Sequence, residues 1–222
     1  MNKFFSVLFL AVLTAGYAQA QFTFGARAGL NLTNISSRYD GKKITGDEKS
    51  KFKPGFQIGV VGEYAISDNL VLQPGILLSQ QGYRFKFSMD EPGYKLESKA
   101  TCNINYLQIP VHAQYKLDMG AMNLLLQAGP YFGFAIGGKA KWEDTEDGVT
   151  EKGDEKLKFG NDPEEHFCKA LDFGLGIGAG LQFDNIQVGL GYQLGLANLS
   201  NYDKNKLNNY GLALTVTYFF GN

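Results

Sequence analysis

Apolar residues alternate with small or polar residues along most of the chain. The alternation is clearest over residues 186–196, where every odd position is Gly or Gln and every even position is apolar: Ile186, Val188, Leu190, Tyr192, Leu194 and Leu196. A period of two predicts a β-strand with two unlike faces. A soluble barrel would carry Lys, Glu or Thr on its solvent-exposed face. Gly and Gln instead suit a narrow polar lumen, and aliphatic side chains suit contact with lipid. The stretch therefore predicts a membrane-spanning strand.

Seven further stretches show the same alternation. The predicted strands are residues 22–32, 54–66, 70–82, 102–117, 122–137, 168–183, 186–196 and 208–220. They are joined alternately by tight turns and by four long polar segments, at 33–53, 84–101, 138–167 and 200–207. The pattern predicts an all-β fold, namely an eight-stranded antiparallel transmembrane β-barrel with long extracellular loops and short periplasmic turns.

Charge follows the same division. The four long segments hold 34 of the 43 Asp, Glu, Lys and Arg residues. A charged side chain that faces lipid at mid-membrane costs about 2 to 4 kcal/mol, so its near absence from the strands supports a lipid-facing exterior. The formal net charge of -1, without a basic cluster interleaved with aromatics, argues against nucleic acid as a partner.

The first twenty residues indicate export. Lys3 precedes an apolar run over residues 4–13, and Ala18-Gln19-Ala20 matches a cleavage site. We predict a signal peptide over residues 1–20 and an outer-membrane barrel domain over residues 21–222. A retained membrane helix is the alternative, but the run is shorter than the roughly 20 residues that a span needs.

Five ionisable residues are predicted to face the lumen: Arg27, Glu63, His112, Lys116 and Asp172. They form either a selectivity ring or proton-linked gate, or a network that fills the interior. The second interpretation is favoured, because eight strands leave room inside for side chains alone. The expected partners are Glu63 for Arg27, and Lys116 or His112 for Asp172. No catalytic residues are expected.

The remaining candidate chemistry is sparse. Cys102 and Cys168 fall at the outer ends of their strands in an oxidising compartment, but two strand spacings of about 10 Å exceed the usual limit for a bridge of about 7 Å. A disulfide is therefore left open. His166, beside the acids of 162–165, and the acidic run 143–148 are interpreted as solvated loops. No metal and no cofactor are expected.

Three segments carry a resemblance to a known family. They are Phe-Gly-Ala-Arg-Ala-Gly-Leu-Asn at 24–31, Asn-Tyr-Leu-Gln-Ile-Pro-Val at 105–111, and the aromatic end Tyr-Phe-Phe at 218–220. In these the chain resembles the small outer-membrane β-barrels common in Bacteroidetes-type bacteria, which are called porin-family or PorT-like. The resemblance implies the fold and the location, and the PorT-like label adds a role in assembling a secretion system.

The expected function is that of a structural or interaction scaffold that displays charged extracellular loops without an open pore. A small porin-like channel and an assembly factor of a secretion system are the alternatives, and an enzyme of the outer-membrane protease type is disfavoured. The expected partners are outer-membrane lipid, the barrel insertion machinery, and an extracellular or membrane protein bound through the loops. The protein is expected to be a monomer.

Overall fold

The computed structural model describes residues 22–44, 50–91 and 94–220, so the predicted signal peptide lies outside the described residues. These residues form the strands β1 Phe22–Tyr39, β2 Lys42–Lys43, β3 Lys53–Ala65, β4 Leu70–Glu91, β5 Tyr94–Asp118, β6 Asn123–Glu146, β7 Val149–Lys156, β8 Leu171–Phe183, β9 Ile186–Gly195 and β10 Asn205–Phe220. No helix within these ranges is long and apolar enough to span a membrane.

Eight of the strands close on themselves. Neighbouring strands pair antiparallel in the order β10, β9, β8, β6, β5, β4, β3 and β1, and β1 also pairs with β10. The closing register runs from Phe24 opposite Phe220 to Tyr39 opposite Asn205. A closed barrel pairs its backbone groups between strands and leaves no edge open to lipid. The predicted eight-stranded antiparallel barrel is therefore confirmed.

The two faces of the barrel differ as the alternation predicts. Outward aliphatic side chains such as those of Leu30, Ile58 and Ile177 are 54% to 66% exposed. Inward positions carry polar or small residues, and Gln73, Gln108 and Gln114 are almost completely buried. Exposed aromatic side chains ring the end that holds the short turns: Phe22, Phe24, Tyr64, Tyr115, Phe183, Tyr218 and Phe220. This ring matches the aromatic girdle of membrane barrels at the water interface.

Several strands extend well past the predicted membrane band. Residues 84–101 and most of 138–156 were predicted to be loops, but they continue β4, β5 and β6 and form β7. Here β7 pairs with β6, and the four strands make a sheet that stands beyond the barrel rim. We call residues 83–91, 94–103, 139–146 and 149–156 the projecting sheet.

Glycines let neighbouring strands approach closely, and this gives a test of the packing. A Cβ added at Gly129 of β6 would overlap the carbonyl oxygen of Val111 on β5, whereas one added at Gly137 meets nothing within 4 Å. Gly129→Ala should therefore lower the free energy of unfolding by about 1 to 3 kcal/mol through overpacking. The measurement is the urea midpoint in detergent, read from the faster migration of folded barrel on unheated gels. Gly137→Ala is the matched control, and equal midpoints for the two variants would contradict the packing described.

Candidate functional site

A hydrogen-bonded cluster of side chains crosses the lumen near the end with the short turns. At its centre, Glu63 of β3 forms an ion pair with Lys116 of β5, with Oε2 and Nζ 2.8 Å apart. The other carboxylate oxygen, Oε1, accepts hydrogen bonds from the amides of Gln187 at 2.6 Å and Gln73 at 3.2 Å. The carboxylate therefore has partners on both of its oxygens, as a buried charge requires.

The same cluster includes Arg27 of β1. Its Nη2 donates to Oε1 of Gln73 at 2.6 Å and its Nε donates to the hydroxyl of Thr217 at 2.8 Å. On the far side, Nζ of Lys116 also donates to Oε1 of Gln182 at 2.9 Å. We call these seven side chains the Glu63 cluster: Arg27, Glu63, Gln73, Lys116, Gln182, Gln187 and Thr217. They come from seven of the eight barrel strands.

The partners within the lumen differ from those predicted. Glu63 pairs with Lys116 rather than Arg27, because the register sets Arg27 opposite Gly59, four residues along β3 from Glu63. Asp172 bonds neither Lys116 nor His112, and it lies at the other end of the barrel from Lys116. Both predicted pairings were wrong, although the side chains of Arg27, Glu63, His112 and Asp172 are buried and that of Lys116 is largely so.

The middle of the lumen contains small cavities. One cavity of about 30 Å³ is lined by His112, Gln127 and Gly176 among others. A second, of about 10 Å³, lies beside Arg27 and Gln114. Neither ring nitrogen of His112 has a hydrogen-bond partner within the described residues. Because a water molecule needs roughly 10 to 15 Å³ of such space, the larger cavity has room for water that could bond this ring.

A second polar cluster lies closer to the outer rim. Oδ2 of Asp172 accepts hydrogen bonds from the hydroxyl of Tyr131 at 3.2 Å and from the side-chain amide of Asn209 at 3.0 Å. The same amide donates to the hydroxyl oxygen of Tyr106 at 3.1 Å. Asp172 is thus held by two neutral donors, Tyr131 and Asn209, and sequence reasoning missed both of them as partners.

An apolar cluster closes the outer mouth above these polar residues. We call it the mouth cluster, and its buried members are Cys102, Ile104, Tyr106, Ala135, Leu157, Cys168, Ala197 and Leu199. Part of it comes from the segment 157–170, which was predicted to be loop up to residue 167 and strand from Cys168. The segment instead folds into the mouth, where the backbone of Leu157 donates to Gly138 and that of Lys169 to Leu199. The barrel strand β8 consequently begins at Leu171.

Both cysteines belong to the mouth cluster and are free thiols. The disulfide that the sequence left open is not formed. Burial raises the pKa of the Cys102 thiol to about 12 and that of the Cys168 thiol to about 12. Thiols with such pKa values carry almost no thiolate near neutral pH and are therefore weak nucleophiles.

The acidic segments offer no obvious metal centre. In the described part of the chain, no three His, Cys, Asp or Glu residues are grouped so that they could hold a metal ion. The backbone N–H of His166 donates to the carbonyl of Asp162, and the carboxylate of Asp162 accepts from the backbone of Glu164. These contacts serve the turn at 162–166.

The projecting sheet has two unlike faces. Tyr83, Phe85 and Phe87 on β4 lie on the face that continues from the lumen, together with Trp142 of β6. The intervening residues on these strands, such as Arg84 and Lys86, lie on the opposite face and are exposed. The period of two thus persists outside the membrane, with charge in place of lipid-facing aliphatics.

A closed barrel with an apolar exterior and a hydrogen-bonded polar interior defines an outer-membrane β-barrel protein. The family described as "Outer membrane protein beta-barrel domain" matches residues 17–201, and the chain belongs to it. The protein is located in the outer membrane. Among curated proteins, none matches the chain significantly.

Solved structures with a similar fold include several proteins described as outer-membrane proteins. OprG from Pseudomonas aeruginosa is 14% identical, with 91% of this chain and 97% of that chain covered and a TM-score of 0.44. Neisserial surface protein A is 14% identical, with 89% and 97% covered and a TM-score of 0.40. Ail of Yersinia pestis, solved with a heparin analogue, is 14% identical, with 89% and 99% covered and a TM-score of 0.35.

The ion pair at the centre of the Glu63 cluster can be tested by substitution. Glu63→Gln leaves the ammonium of Lys116 inside the barrel without a carboxylate, and we expect a loss of about 3 kcal/mol in unfolding free energy. Adding Lys116→Met should recover part of this loss, because the double variant contains neither charge. Glu143→Gln, which breaks the exposed ion pairs with Lys99 and Lys152, is the control and should leave the urea midpoint unchanged. Strictly additive losses would contradict a coupled pair.

The two buried thiols give a second test. In the folded barrel at pH 8, Cys102 and Cys168 should resist alkylation by iodoacetamide, because pKa values near 12 leave them protonated. Both should react after denaturation without added reductant, and intact-mass spectrometry would count two adducts. Rapid labelling of the native protein, or a need for reductant, would contradict this description of the mouth cluster.

Proposed function

We propose that the protein is a closed, monomeric outer-membrane scaffold that holds the projecting sheet outside the cell for binding to a protein partner. The barrel anchors and orients the sheet, and the sheet presents the binding surface. Neither a conducting pore nor a catalytic centre forms part of this proposal.

The filled lumen is the observation that carries the proposal. The Glu63 cluster joins seven strands across the interior with bonds of 2.6 to 3.2 Å. Cavities of about 30 and 10 Å³ in the middle of the lumen have room for no more than a few water molecules, and the mouth cluster adds an apolar barrier on the outer side. Eight-stranded barrels have interiors just wide enough for side chains, whereas barrels of 16 to 18 strands leave a channel.

The length of the projecting sheet supports the binding role. Glu146, at the end of β6, lies 12 residues beyond the exposed Phe134, which is about 40 Å of strand at 3.3 Å per residue. Binding residues are commonly found on segments that a rigid scaffold positions. The partner would be an extracellular or membrane protein, and the PorT-like resemblance makes a component of a secretion system the second choice.

The contacts of the histidines support a role other than catalysis. Nucleophilic catalysis requires a hydroxyl or thiol within hydrogen-bond reach of a base. Within the described residues, the side chains of His112 and His166 form no hydrogen bond with Ser, Thr or Cys. Asp172 is bonded to Tyr131 and Asn209 and does not orient a histidine.

A conductance measurement distinguishes the scaffold function from the alternative function as a channel. Purified protein in a planar bilayer at about 1 M KCl, where the Debye length is about 3 Å, should give no stable current steps. The reason is that Glu63 and Lys116 neutralise each other, whereas Arg27 and Asp172 are held by neutral side chains. The water path through the lumen is also interrupted at two levels. Stable, ion-selective steps from folded wild-type protein would overturn the closed-barrel half of the proposal.

A variant that lacks most of the projecting sheet, the trimmed barrel, tests the other half of the proposal, which is binding to a protein partner. Replacing residues 87–98 by Asn-Gly joins the paired residues Lys86 and Lys99, and replacing 141–154 likewise joins the paired Ala140 and Glu155. Asn-Gly is suited to two-residue hairpin turns, and the mouth cluster is left intact. Crosslinking on intact cells should recover a partner with the full chain and lose it with the trimmed one. Equal recovery with both would contradict binding through the projecting sheet.

A further inference from the structure

The outward face of the projecting sheet is strongly basic. Opposite residues of an antiparallel pair share a face, so the strand registers place these exposed cations on one surface: Arg84, Lys86, Lys99, Lys139, Lys141, Lys152 and Lys156. We call this surface the basic face. The three rows of the sheet that hold these seven cations contain two carboxylates on the same face, those of Glu143 and Asp154. A third carboxylate, that of Glu97 in the next row, lies 3.6 Å from Lys99.

The carboxylates are already shared among some of the cations. Glu143 lies 3.3 Å from Lys99 and 2.7 Å from Lys152, and Asp154 lies 2.7 Å from Lys139. Hydrogen bonds from Lys152 and Lys99 lower the pKa of Glu143, and one from Lys139 lowers that of Asp154. Four cations of the basic face have no ion pair with any described residue: Arg84, Lys86, Lys141 and Lys156. The surface therefore keeps an excess of positive charge.

The lowest row of the basic face lies at the height of the lipid headgroups. On β6, the outward side chain of Ile136 is 58% exposed and belongs to the apolar band. Lys139 follows three residues later, about 10 Å along the strand and about 7 Å in height for a tilt near 45°. The headgroup layer is about 5 to 8 Å thick on each side of the hydrocarbon. Lys139, its cross-strand neighbour Lys156 and the next row therefore lie at or just above that layer.

We propose that the basic face binds phosphorylated headgroups of lipids in the outer leaflet around the barrel. Lysine ammonium groups bind phosphate as point charges, and the guanidinium of Arg84 offers paired donors. The charge complementarity and the continuity with the lipid-facing band favour a membrane ligand over a soluble one. The inference goes beyond the proposed function, because lipid binding here requires no protein partner.

Binding to a defined lipid tests the inference. Wild-type protein in neutral maltoside detergent is titrated with diphosphoryl lipid A in mixed micelles, and native mass spectrometry counts the bound lipid. Removing the phosphates should weaken binding roughly tenfold or more, since each surface cation contributes substantially to the attraction of anionic lipid. Binding should also fall between about 50 and 500 mM NaCl, roughly the range over which surface charges become screened.

Two charge-matched variants locate the site. The first replaces Arg84, Lys86, Lys141 and Lys156 by Gln, and we expect roughly tenfold or greater weakening. The second replaces by Gln four exposed lysines outside the projecting sheet: Lys42, Lys158, Lys204 and Lys206. At the same salt concentration it should bind lipid A within about twofold of the wild-type affinity. Faster gel migration without heating confirms that each variant is folded.

Three outcomes would overturn the inference. They are equal weakening by the two variants, equal affinity for lipid A with and without phosphate, and displacement of the lipid by equimolar inorganic phosphate or soluble sulfated polysaccharide. The last result would identify a soluble polyanion as the ligand. A failure of the trimmed barrel to lose its protein partner would leave the lipid result unaffected, so the two proposals fail separately.

Discussion

The absence of water from the bilayer interior is the constraint on which this structure depends. Polar groups buried in hydrocarbon must find partners within the protein, because each unsatisfied one costs several kcal/mol. The backbone meets this requirement through the pairing of β1 with β10. The Glu63 cluster meets it through side chains, since Glu63 receives donors on both carboxylate oxygens and Arg27 donates to both Gln73 and Thr217. Closure of the barrel and filling of its lumen therefore both provide hydrogen-bond partners for buried polar groups.

The barrel and the direction of its side chains could be predicted because both depend on a local period of two. Gln73 and His112 fall on inward positions of alternating stretches, and they are buried. The pairing of lumen charges could not be predicted in this way. It depends on how far each strand is shifted against the next, and this shift places Gly59, not Glu63, beside Arg27. A sequence pattern gives the face of a residue but not its height in the barrel.

The structure beyond the membrane was mispredicted for a different reason. Dense charge over 84–101 and 138–167 concealed an alternation that Tyr83, Phe85 and Phe87 continue. Once strands leave the lipid, their outward positions become charged and the contrast that identifies a membrane strand disappears. The mouth cluster was missed because its apolar residues, among them Leu157 and Leu199, stand singly in polar segments. Only the folded chain brings them together.

Closure of the barrel also determines the order in which the molecule can be completed. Strand β1 pairs on one side with β3, but its other side can pair only after β10 has been added. The hydrogen bond from Arg27 to Thr217, which joins residues 190 positions apart, illustrates this distance. Contacts this distant in sequence make folding slow, because most of the chain must be arranged before they form. Until the last strand arrives, β1 presents an open edge that can pair with foreign strands. The edge of β1 must therefore be kept from other strands until β10 has been added, and closure removes this hazard.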